Sequence, residues 1–107
     1  MKWDILAANP QSGGHMYAVL VNVSIAPGQF EGSRKALNEQ VVPRVKQAPG
    51  LVKAFWTVRE DSAQGTSMAV FKTKQDAEAA MTMVRNAPPP PGVTIGSVEV
   101  REVIAEA

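Results

Sequence analysis

The chain reads as an α+β domain of order β-α-β-β-α-β over residues 16–107: a four-stranded antiparallel sheet with two helices on one face. Three observations predict this. The stretch Met16 to Gly28 opens with alternation: Tyr17, Val19, Val21, Val23 and Ile25 share one strand face, Met16, Ala18, Leu20, Asn22 and Ser24 the other. Two later stretches carry apolar residues on a helical period. Between them, two strand-like runs are separated by a short polar loop, which makes that pair antiparallel. A strand apolar on nearly both faces must be covered on both. With the helices on one face, a second copy is the expected cover for the other. The expected assembly is therefore a two-fold homodimer, packed sheet to sheet into an α/β barrel.

Each element has its local reason. Pro27-Gly28 is a turn. The first helix is expected from about Gln29 to Gln47, where Phe30, Leu37, Val41, Val45 and Ala48 form one apolar stripe. Arg34, Lys35, Asn38, Glu39 and Lys46 fall mostly off that stripe. Gly32 weakens the first turns by about 1 kcal/mol relative to Ala. Pro43 lacks an N–H, so a kink or break is expected near Val42. Pro49-Gly50 ends the helix. Leu51 to Arg59 is the second strand, Glu60 to Gly65 a hairpin loop, and Thr66 to Lys72 the third strand. Thr73 is the expected N-cap of a second helix running to about Asn86, with Ala77, Ala80, Met81 and Val84 as its buried stripe. The tetraproline Pro88 to Pro91 stops the helix and forms a stiff connection; recognition by a proline-binding partner is the weaker reading. Val93 to Ile104 is the last strand.

Composition excludes several functions. The chain has 107 residues, 45% hydrophobic and 20% charged, with a formal charge of +1. That is an ordinary globular composition. It favours neither nucleic acid nor an anionic membrane as partner. Cysteine is absent, so thiolate catalysis and zinc–thiolate sites are excluded. No apolar run reaches the length of a membrane span, and the expected location is cytoplasmic. Residues 1–15 read as an expression tag or linker, or a disordered tail, because Ser12-Gly13-Gly14 is linker-like and Met16 suits a natural start. His15 is the one histidine; if it belongs to that segment, histidine-based acid–base or metal chemistry falls away.

In four stretches the sequence resembles the dimeric α/β-barrel superfamily, and within it the antibiotic-biosynthesis-monooxygenase-like (ABM-like) domains of ferredoxin-like fold. These are the Val-Asn-Val-Ser-Ile-Ala-Pro-Gly opening, Val41-Val42-Pro43 late in the first helix, Ala48-Pro49-Gly50 before strand two, and Phe71 to Ala77 before helix two. The resemblance covers Met16 to about Ile104. It implies a fold more firmly than a chemistry, because such domains include cofactor-independent oxygenases of polyketide quinones, heme-degrading enzymes and muconolactone isomerases.

The resemblance implies a ligand-binding role for Asn22, which stands five residues before the Pro of the turn, where such domains use an asparagine toward the substrate. A structural amide, satisfied by backbone or water, is the competing reading; left unpaired and buried it would cost about 1–3 kcal/mol. Heme-degrading members carry a tryptophan at the end of strand three and a histidine near the end of helix two. Here Lys72 stands at the first position and helix two has no histidine, so heme degradation is not expected. Expected cofactors are none.

Trp56 offers an indole N–H and Met68 an adaptable apolar side chain, and with Asn22 they are the candidate ligand-binding residues. Tyr17 is a further donor. Each has a bland alternative: a core or interface aromatic for Trp56, a gap filler for Met68. Phe55 and Trp56 must face opposite ways, and the sequence leaves open which one meets the helices. The expected function is cofactor-independent monooxygenation of a small aromatic or quinone-like substrate. The alternative is a non-catalytic ligand-binding or regulatory dimer, as in ACT domains of the same element order. RNA recognition needs exposed aromatics with basic surroundings, which the first strand and the near-neutral charge do not provide.

Overall fold

Alternating apolar residues make β1 (Tyr17–Ile25) the strand to which the rest of the sheet is tied. The computed structural model describes residues 15–107; all of the proposed tag or linker at residues 1–15 except His15 lies outside them. β2 (Leu51–Val58) and β3 (Gln64–Phe71) form the expected hairpin, and β4 (Val93–Glu102) closes the sheet. The order is β2-β3-β1-β4, with all neighbours antiparallel. β1 is thus central, and Asn22 stands opposite Thr66 on one side and Ser97 on the other. The register with β4 shifts between Asn22 and Val23, leaving Gly96 as an extra residue at a bulge.

The helices cover the face of Tyr17, Val19, Val21, Val23 and Ile25, the apolar set. Val19 and Phe71 are about 3% and 1% exposed. Ala77, fully buried, brings the helix α3 (Lys74–Asn86) close to the sheet, with Ala80, Met81 and Val84 packed beside it. Thr73 caps α3, its Oγ1 accepting from the Asp76 N–H at 3.0 Å. α3 packs over β1, β3 and β4.

The first helical segment differs from expectation in one way. It runs as α1 (Phe30–Ala36), a π-helical turn (Leu37–Val41) and α2 (Val42–Lys46). The Val42 N–H bonds to the Leu37 carbonyl, five residues back. Pro43 has no N–H to give, and the chain absorbs this by widening one turn rather than by breaking. At Gly50, φ is +77°, and a Cβ there would collide with the Asp76 carboxylate. Glycine serves both the left-handed backbone and the close approach of α3.

The face opposite the helices, which no described helix covers, carries Ala18, itself buried, Leu20, Asn22 and Ser24, with Met68, Val70 and Thr66 from β3 and Phe55 from β2. Phe55 is about 55% and Met68 about 43% exposed. Among the described residues, no helix is long and apolar enough to cross a membrane.

Candidate functional site

α3 covers one half of the sheet closely, and the arm α1–π–α2 stands off the other half. Between the arm and the sheet lies a groove of ≈ 600 Å³, within the range of about 300–1,000 Å³ usual for ligand sites. Val21 and Val23 of β1, Trp56 of β2 and Phe71 of β3 form its floor. Phe30, Leu37, Val41 and Val45 form its roof, the expected apolar stripe of the first helix. Met83, Val84 and Pro88 to Pro90 close one end. The wall is mostly hydrocarbon. Ser33 is buried, but its hydroxyl donates to the Phe30 carbonyl at 2.9 Å. The charged residues among those lining the groove are Arg34 and Arg44, both at its edge on the arm. The π-helical turn sits between them, where such turns often mark functional positions.

The open face of the sheet holds a second, polar hollow of ≈ 400 Å³ around Asn22, Thr57, Thr66 and Ser97. Asn22 Oδ1 accepts from Thr66 Oγ1 at 2.8 Å, and its Nδ2 donates to Ser97 Oγ at 3.0 Å. The amide therefore bridges three strands. Thr57 Oγ1 donates to the Thr66 carbonyl at 2.7 Å. At the rim, Arg59 Nη1 donates to Gln64 Oε1 at 2.9 Å and Nη2 pairs with Asp61. The Ala63 N–H, first, and the Arg59 guanidinium hold the Asp61 carboxyl below the usual carboxylate range. Beyond this polar end the face turns apolar. Lys53 Nζ lies 5.5 Å from the Phe55 ring centroid, a cation–π contact.

The three residues singled out from the sequence do not share one cavity. Asn22 and Met68 share one face of the sheet and Trp56 takes the other; Asn22 lines the polar hollow, whereas Trp56 and Met68 both border the groove. Phe55, not Trp56, faces outward. Tyr17 packs against the buried core. Strand alternation puts Asn22 and Trp56 on opposite faces of the sheet.

Sequence reasoning passed over Arg34 and Arg44 as groove residues. A signal existed: Arg34, Leu37, Val41, Arg44 and Val45 recur at three and four residues. Both arginines therefore border the apolar stripe rather than oppose it.

Neither a protein-family model nor a curated protein sequence matches the chain. Solved structures do. A heme-degrading protein of Mycobacterium tuberculosis, with two hemes bound in its active site, is 14% identical over 84% of this chain and 98% of its own, with a TM-score of 0.63. A Streptomyces coelicolor monooxygenase in complex with nanaomycin D is 11% identical, covering 94% and 96%, with a TM-score of 0.54. A dimeric ferredoxin-like protein from an uncultured marine organism is 11% identical, covering 90% and 94%, with a TM-score of 0.59. The chain shares the ferredoxin-like fold of these proteins over nearly their whole length.

Proposed function

We propose that the groove beneath the helical arm binds a small aromatic or quinone-like compound, and that the reaction is cofactor-independent monooxygenation. The observation that carries this reading is the apolar groove of ≈ 600 Å³ with Trp56 in its floor. An aromatic ligand would stack on or against the indole and bury its rings among valines. Among the described residues, no carboxylate, imidazole or amine lines the groove. A suitable substrate must therefore be acidic enough to lose a proton to solvent, and the resulting carbanion then reacts with oxygen directly. The same lining does not fit heme iron, to which it offers no imidazole, thiolate or phenolate.

The protein works, on this reading, as a homodimer joined through its open sheet faces. Leu20, Phe55, Met68 and Val70 form the apolar part of that face, and the polar part presents hydroxyls and amides that can bond across a two-fold axis. A dimeric protein of the same fold supports it. Phe55→Glu should convert the dimer to monomer in light scattering; an unchanged mass would remove this interface.

Anthrone tests the activity. It has an acidic methylene and an apolar tricyclic body, and its oxidation balances as anthrone plus oxygen giving anthraquinone plus water. Oxygen uptake should exceed the buffer rate, and Trp56→Ala should reduce it. Binding of anthrone without oxygen uptake favours the second reading, a non-catalytic binding protein. The absence of acid–base side chains in the groove favours that reading too. Absence of both binding and uptake would remove the groove as the site.

A further inference from the structure

We propose that the groove selects apolar compounds that carry an oxyanion, and that Arg44 reads the anionic group. This rests on the groove being the ligand site. The chain as a whole is nearly neutral, with 11 Lys and Arg against 10 Asp and Glu. Around the groove that balance is absent: among the described residues two guanidiniums line it and no carboxylate does. The asymmetry is local, so it does not follow from composition.

The two cations differ. Arg34 Nη1 lies 4.0 Å from the Glu31 carboxylate, one helical turn away. Among the described residues, Arg44 has no carboxylate within ion-pair distance. It stands one turn after Val41 and beside Val45, lines the groove and is exposed, so its stem can follow the apolar roof with the guanidinium in water. A planar guanidinium there matches a carboxylate with two parallel hydrogen bonds. Beside a hydrocarbon wall such a pair is less screened than on an open surface. The ligand class that satisfies the whole groove is therefore an aryl carboxylate or a comparable apolar acid. Its rings would lie over Trp56 and its oxyanion would reach the rim.

The test is calorimetric titration of the full chain with 2-naphthoate and with methyl 2-naphthoate, which share the ring system and differ in charge. The acid should bind about 10-fold more tightly than the ester, and the gap should narrow at high salt. Arg44→Gln should remove the gap and leave ester binding intact, with an unchanged circular dichroism melt. Arg34→Gln should retain the gap. Equal binding of acid and ester by the unmodified chain overturns the inference while leaving the groove as a ligand site. Loss of the gap in Arg34→Gln alone overturns the assignment to Arg44. Failure of both compounds to bind overturns the inference together with the groove reading on which it rests.

Discussion

Replacing Asn22 with alanine separates a structural amide from a ligand-binding one. The side chain makes two hydrogen bonds, 2.8 Å from Thr66 and 3.0 Å to Ser97. Each such bond contributes about 0.5–1.5 kcal/mol net, so the pair is worth about 1–3 kcal/mol. In a single copy the site is open, and water can replace the lost partner; the loss then lies near about 1 kcal/mol. Covered by a second copy, Thr66 and Ser97 would be left unpaired in a dry interface, and the loss moves to the upper end. For a domain of this length, about 1 kcal/mol lowers the melting midpoint by roughly 4–8 °C. Because Asn22 points away from the groove, binding of methyl 2-naphthoate should be unchanged. The assay is thermal unfolding by circular dichroism paired with calorimetric titration. A companion Ser97→Ala variant and the double variant should show non-additive losses, since one bond is shared. Unchanged melting with weakened ester binding would refute this account and place Asn22 in contact with the ligand.

Other substitutions test the packing. Phe71→Ala removes a ring that is about 1% exposed at the meeting of β3, β1 and α3; it should cost about 3–5 kcal/mol in urea unfolding. Gly50→Ala forces a left-handed backbone worth about 1–2 kcal/mol and pushes its Cβ into Asp76, so the melting midpoint should fall. Asp61 sits below its ordinary pKa in the folded hairpin. Its stabilising contribution is present above the ordinary carboxylate value and is lost as pH falls through the folded one. The Ala63 amide resonance should titrate in that acidic window, and Asp61→Asn should abolish the step.

The element order was legible because periodicity is local. Alternation in β1, the 3.6-residue stripes of the helices and the Thr73 cap each depend on a few neighbouring residues. The conformation at Pro43 was half legible. A missing N–H predicts a disturbance, but whether the ladder breaks or widens depends on what the turn packs against. The orientation of Trp56 was legible in principle. Ala54, Trp56 and Val58 are all apolar, whereas Lys53 and Thr57 flank Phe55, so the cleaner apolar set belongs under the helices.

By itself, then, the sequence determined the strands, the helices and which residues share a face. It also determined that the face bearing Asn22 is the less apolar of the two on β1. Only the tertiary structure decided where a cavity opens. It also decided that the helical arm stands off β2 and β3, and that Arg34 and Arg44 both line one groove. The reason is physical. Strand and helix periods fix relative directions within an element, but a cavity exists only where two elements fail to touch. That separation is set by how small the buried residues are on each. Ala77 and Ala80 let α3 lie close, while the larger Phe30, Leu37 and Val41 face the groove from the arm.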